Sequence, residues 1–325
     1  MKKLLLAFFT FTCLIANAQI NVGSKTAPAI RAGKFSDEDL AELKKTTTLF
    51  TLQSKDYDQQ QDFEKAIADV WTVTKFKIIK PEEVKKYELL EGYSFFTFGG
   101  YYTGHTGRDK MPIYTIHMTY DLSIPEVGKK GKVKDHQYFT RMLLSLDEAG
   151  MNASGTSGRK RPEKELSNLM HNKLKFYNWG AGYLKGQLIT VNKLLMAGET
   201  RVHIKGDEQI DILKGLKNDT LYIPDYINNK YSVFTGKSKE KDKDENEGAL
   251  KEFYSFPMKI VSGEEINDMI INRSTPVYYL VFVRSSVAKY INVYHSTKGM
   301  IYSQHQLQSY NFKPRDLTIV ESLLK

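Results

Sequence analysis

Two matching stretches constrain this chain more than anything else in it. Lys77-Ile78-Ile79-Lys80-Pro81-Glu82-Glu83-Val84 and Lys259-Ile260-Val261-Ser262-Gly263-Glu264-Glu265-Ile266 each join a short β-branched run to an acidic helix start. The starts use different chemistry. Pro81 suits the first helical position, where its missing N–H costs nothing. Ser262 with Glu265 makes a capping-box pattern. In both stretches the glutamates face the positive end of the helix dipole. One strand-to-helix transition, written twice in different residues, predicts a repeated unit.

The flanking pattern extends the unit. Thr48 to Leu52 reads as a strand, and Asp62 caps a helix whose Phe63, Ile67, Val70 and Trp71 form one stripe. Phe76 to Ile79, a helix facing inward through Val84 and Tyr87, and Tyr93 to Phe98 complete the order β-α-β-α-β. Thr220 to Pro224 parallels Thr48 to Leu52, and Val277 to Val283 parallels Tyr93 to Phe98. That second run is continuously apolar, as a strand buried on both faces must be. Between Ile113 and Leu122 the even positions are apolar and the odd ones, Thr115, His117, Thr119 and Asp121, are polar. This period of two predicts a half-exposed strand. Tyr138 to Leu146 follows as another. Tyr290 to His295 and Met300 to His305 form a hairpin about Ser296 to Gly299, and Pro314 to Leu324 is a last helix.

The expected fold class is therefore α/β (α+β), with two related β-α-β-α-β-β-β halves joined by a helical segment. Residues 19–45 form a leader containing one short helix capped at Ser36. Residues 46–150 are the N-terminal α/β domain, 151–205 a linker and helical segment, and 206–325 the C-terminal α/β domain. Residues 237–247 (KSKEKDKDENE) carry no apolar side chain and are expected to form a mobile loop.

Residues 1–18 have the form of a signal peptide. Lys2 and Lys3 precede an apolar run from Leu4 to Ile15, and Ala16-Asn17-Ala18 is an A-x-A site before Gln19. The run is shorter than the roughly 20 residues a spanning helix needs. The expectation is an exported protein, periplasmic or extracellular, with no transmembrane anchor after cleavage. The sole cysteine, Cys13, lies inside this segment, and the preceding Phe11 and Thr12 are not the small pair of a lipidation site. The remaining chain has no disulfide, no cysteine nucleophile and no thiolate metal site. The formal charge of +9 falls by the two lysines that leave with the segment. A mildly basic chain outside the cytosol fits an envelope protein or anionic polymer as partner and argues against nucleic acid.

Recognisable chemistry is sparse. Gly99 to Asp109 (GGYYTGHTGRD) gathers glycines with Tyr101, His105 and Arg108, and His117 follows on the next strand. The loop lacks the Gly-Lys-Ser/Thr ending of a phosphate loop. His117 and Asp121 lie four residues apart on a strand, about 13 Å, too far to share one ion. No H-E-x-x-H pair occurs. Gly180, Gly182 and Gly186 have the wrong spacing for a dinucleotide fingerprint. Trp179 and Tyr183 are core or interface aromatics. The candidate binding residues are Tyr101, His105, Arg108, Trp179 and Tyr183. No catalytic residue, metal ligand or cofactor is implied. An exposed subset of the 20 tyrosines is expected to make contacts.

Three stretches carry a resemblance: Ala66 to Tyr87, Tyr177 to Leu195, and the C-terminal part from Leu221-Tyr222-Ile223-Pro224 through Tyr278-Tyr279-Leu280 to Ser309-Tyr310-Asn311-Phe312-Lys313. Together they resemble an uncharacterised family of secreted proteins from Gram-negative bacteria, which brings no activity, cofactor or catalytic residue. The β-α-β start is also loosely similar in topology to small α/β envelope domains, such as those of outer-membrane assembly and peptidoglycan-synthase activators. The expectation is a non-enzymatic cell-envelope protein that binds a protein partner or a cell-wall polymer. The alternative is a secreted hydrolase with its site near Gly99 to His117.

Overall fold

A computed structural model describes residues 19–26, 31–106, 112–154, 162–201, 209–240, 243–285, 288–307 and 309–325. Residues 1–18, where a signal peptide is expected, therefore lie outside the described residues, as does Arg108.

The chain is a mixed α/β protein built on two main sheets. The first contains β1 (Ile20–Val22), β2 (Thr47–Thr51), β3 (Lys75–Ile79), β4 (Tyr93–Thr106), β5 (Pro112–Val127) and β6 (Val133–Leu143), in spatial order β1-β6-β5-β4-β2-β3. The second contains β7 (Leu221–Pro224), β8 (Met258–Val261), β9 (Tyr278–Arg284), β10 (Ala288–His295) and β11 (Gly299–Leu307), in order β8-β7-β9-β10-β11. Apart from β1, the two sheets have the same topology. β2 is parallel to β3 and β4, as β7 is to β8 and β9, and the last two pairings of each sheet are antiparallel.

The halves differ in which face they turn inward. In the first, Phe63, Ala66 and Ile67 of helix Gln60–Ala68, between β2 and β3, enter the main core. Val84 and Tyr87, between β3 and β4, pack on the opposite face with Leu49, Ile79 and Phe95. In the second half the equivalent roles are exchanged. Leu250 and Tyr254, between β7 and β8, belong to an outer cluster, whereas Ile266, Met269 and Ile270, between β8 and β9, enter the main core. Within each half the first crossover steps one way across the sheet and the second steps back past it, so right-handed connections put its two helical segments on opposite faces. The halves differ in which of those faces turns inward. The sheets are stacked front to back about the helix Ala181–Ala197.

That central helix touches both inward helices, Gln60–Ala68 and Gly263–Asn272. Leu184, Leu188, Val191 and Leu195 are buried, but so are Gly182, Gly186, Gln187 and Thr190 on its other sides. Lys185, Ile189, Asn192, Lys193 and Met196 form a stripe that is partly or fully exposed, so the helix packs into the interior by most of its circumference. Gly180 precedes it at φ +150°, a conformation that favours glycine, and Asn267 fills the space a Cβ would need.

Four local expectations change. Ile20 and Val22 of the leader are fully buried, because β1 pairs with β6 under the central helix. The expected boundary at residues 150 and 151 falls inside a helix, Glu148–Ser154, with Met151 buried. The described parts of the charged stretch take regular structure: Lys237–Glu240 pairs with Asn229–Ser232, and Lys243–Lys251 is a helix anchored by Leu250. A backbone ladder and one buried leucine supply what the charged side chains cannot. Finally, β5 is not half-exposed. Thr115, His117, Thr119 and Asp121 are all buried, because Tyr101, Tyr138 and Arg141 lie across them.

Candidate functional site

The polar face of β5 organises the densest set of titratable side chains near the predicted site. Register places Tyr101 opposite His117 and Arg141 opposite Asp121. The Tyr101 and His117 rings stack with centroids 4.7 Å apart, and Thr103 Oγ1 lies 3.0 Å from His117 Nε2. Arg141 Nε donates to both Asp121 carboxylate oxygens at 3.3 Å. Its guanidinium lies 4.9 Å from the Tyr101 ring centre and 4.4 Å from that of Tyr138. Such contacts suit a planar, weakly hydrated cation. A Cβ at Gly99 would come within 3.2 Å of Asp121 Oδ2, so a larger residue there would press on the carboxylate.

Electrostatics make this a closed cluster. Burial, then the charge of Arg141, brings His117 down to about 4. Burial raises the Asp121 carboxyl, with Arg141 opposing it. Burial works against the Arg141 charge, but Asp121, Tyr138 and Tyr101 together hold its pKa above the ordinary value. Burial pushes both Tyr101 and Tyr138 up to about 12. At neutral pH the histidine is uncharged and a very weak base, far from the value a general base needs. Asp121 is engaged by Arg141. The arrangement ties three strands together and offers no poised proton acceptor.

Arg108 lies outside the described residues, and His105, Trp179 and Tyr183 are placed elsewhere. His105 pairs with Ile113, four rungs from the Tyr101–His117 pair, or about 13 Å along the strand. Its side chain lies outside the described residues. Trp179 is 8% exposed, packs against Phe98 and Tyr120, and donates Nε1–H to Asp56 at 2.6 Å. Tyr183 is 3% exposed and meets Tyr279 edge-on. Both are core aromatics and present no surface to a ligand, which corrects their selection as binding residues. The expectation of contact-making tyrosines is corrected too. Each of the 20 is buried or half-buried, none exposed.

The most exposed aromatic among the described residues is Phe234, 97% accessible, with Val233 beside it. Both sit at the tip of the hairpin formed by Asn229–Ser232 and Lys237–Glu240. Gly236, at φ +64°, closes the turn by donating its N–H to Ser232 O at 2.9 Å. Helix Glu148–Ser154 braces the hairpin. Asn152 Nδ2 donates to Gly236 O at 2.8 Å, its Oδ1 accepts from Tyr231 at 2.8 Å, and Glu148 accepts from Ser238 N. The sequence carried one signal for this, an apolar pair placed directly before Thr235-Gly236 where turn residues are normally polar.

A cavity of about 270 Å³ opens between the end of the central helix and the β10–β11 turn, lined in part by Thr190, Lys193, Glu199, Arg201 and Lys298. Among the described residues there is no group of three or more His, Cys, Asp or Glu able to hold a metal ion. Among the same residues no helix is long and apolar enough to cross a membrane. Comparison with protein-family models, with curated proteins and with solved structures found no match for this chain.

Proposed function

We propose that the chain is exported through its first 18 residues and acts in the cell envelope as a non-enzymatic binding protein, seating Phe234 in an apolar pocket of a protein partner. The observation that carries this reading is a phenylalanine left 97% accessible on a hairpin held in place by a neighbouring helix. Leaving such a ring in water forgoes roughly 1.5–3 kcal/mol of burial free energy. A braced tip also loses little conformational freedom on binding, so more of that energy appears as affinity. Lys237 and Lys239 are exposed on the adjoining strand and favour an acidic rim on the partner. The hydrolase alternative has less support, because His117 is enclosed with a pKa of about 4 and His105 is four rungs away.

The test is site-specific photo-cross-linking from position 234 in an envelope extract, with the same group at the exposed Lys214 as control. A single adduct from 234, competed away by unlabelled protein, is the expected result. Phe234→Ala should weaken that complex by about 2 kcal/mol or more, roughly thirtyfold. Its stability should change by less than about 0.5 kcal/mol. Co-sedimentation with cell-wall polymer and no protein adduct would overturn the choice of partner. Substrate turnover by the purified chain would overturn the non-enzymatic reading.

A further inference from the structure

Gln19, the first residue after the predicted cleavage site, sits in an unusual place for a new chain end. It is 0% exposed. Its carbonyl accepts from Leu143 N at 2.9 Å, which docks it beside β6, and Ile20 and Val22 follow as fully buried residues. Its side-chain Oε1 accepts from the Tyr294 hydroxyl at 2.9 Å, and burial raises that phenol well above its ordinary pKa, so it stays a donor. Gln19 Nε2, by contrast, is buried with no hydrogen-bond partner.

Cleavage would add a second burden. A free α-amine is charged at neutral pH, its ordinary pKa being about 7.7–8.0. A charge held among buried groups is strongly disfavoured unless it is paired. One reaction removes both the charge and the unpartnered amide. We propose that Gln19 is converted to pyroglutamate. The neutral α-amine attacks Cδ, the N–Cδ bond forms and the Cδ–Nε2 bond breaks. One amine proton passes to Nε2, and ammonia leaves. No oxidant or co-reactant is needed. The atom that departs is the one without a partner, and the atom that stays, Oε1, is the one Tyr294 holds. The step is intramolecular and precedes docking of β1, which then buries an uncharged lactam.

This inference rests on the export reading, and the experiment separates the two. The full precursor is expressed in a Gram-negative host, and the exported chain is analysed by intact mass and N-terminal peptide sequencing. A chain beginning at Gln19, lighter by one ammonia and blocked to amine labelling, is the expected result. A chain beginning at Gln19 with a labelled free amine overturns the modification and leaves export standing. A chain still beginning at Met1 overturns both. A free-amine form, made by proteolytic release directly before Gln19, should melt at a lower temperature than the exported form. Equal melting would remove the burial argument.

Discussion

At the scale of single residues, burial decides what each polar group can do. His117 titrates at its ordinary 6.5 when unfolded and at about 4 in the fold. Between those values the unfolded chain binds the proton and the folded chain does not. The histidine's contribution is therefore full above pH 6.5 and drains away as pH falls toward 4, by up to about 3 kcal/mol. His171 and His295 are also lowered, first by burial, and act in the same direction. Asp121, raised by burial, has the opposite sign, so a variant is needed to isolate the histidine. His117→Asn should lose less stability than the wild type between pH 7 and pH 4.5, by about 2–3 kcal/mol, in urea unfolding at the two pH values. Parallel losses in both chains would mean that His117 is not held neutral. The same burial explains why the sequence misled at Tyr101, Trp179 and Tyr183. Residue type identifies groups able to bind, but only the register of β4, β5 and β6 shows that Arg141 and Asp121 occupy the site themselves.

At the scale of elements, the central helix trades helix propensity for close approach. Gly182 lies against the helix Gly263–Asn272, where an added Cβ would come within 2.3 Å of Asn267 O. Gly186 leaves room for the Tyr279 hydroxyl. Alanine is the better helix former by about 1 kcal/mol. At Gly182 the obstacle is backbone, which cannot swing aside, so Gly182→Ala should destabilise by about 1–3 kcal/mol through overpacking. Gly248, in helix Lys243–Lys251, has nothing within 4 Å of its Cβ position. Gly248→Ala should stabilise by about 0.5–1 kcal/mol. Urea unfolding of the two variants should therefore shift in opposite directions, and a shared direction would refute the helix-crossing argument. Two helix starts were legible in the sequence because capping is local, whereas Asp62 does not cap its helix, which already begins at Gln60 and carries Asp62 in its first turn. Ser36 accepts from Asp39 N, and Ser262 from Glu265 N, as the residue spacing requires. Sidedness of β5 was not legible, because period two marks two different faces without saying that a polar face stays wet.

At the scale of the molecule, the repeat was legible as an order of elements but not as an arrangement. Matching letters align Thr220 with Thr48, which sets Ile223 against Thr51. The ladders instead pair Phe50 with Ile78 and Ile223 with Ile260, so Ile223 occupies the place of Phe50. One residue of slip reverses the face of every side chain in a strand. Nor could the letters show that the halves stack front to back, with Phe50 facing the main core and Ile223 the outer cluster. That stacking has a thermodynamic consequence. The main core draws on both sheets, on the central helix and on Ile20 and Val22, so neither half encloses it alone. Arg284, buried at the end of β9, adds hydrogen bonds from Nε to Leu146 O and from Nη1 to Asn229 O. Residues 206–325 expressed alone would expose Ile266, Met269, Ile270 and Tyr279, which the intact chain buries. That fragment should retain its strand signal in far-ultraviolet circular dichroism, bind a hydrophobic dye and melt without a cooperative transition. The whole chain should unfold in one calorimetric step, with equal van't Hoff and calorimetric enthalpies. Two resolved transitions, or a cooperatively melting fragment, would show that the halves are separate folding units and that the shared core contributes little.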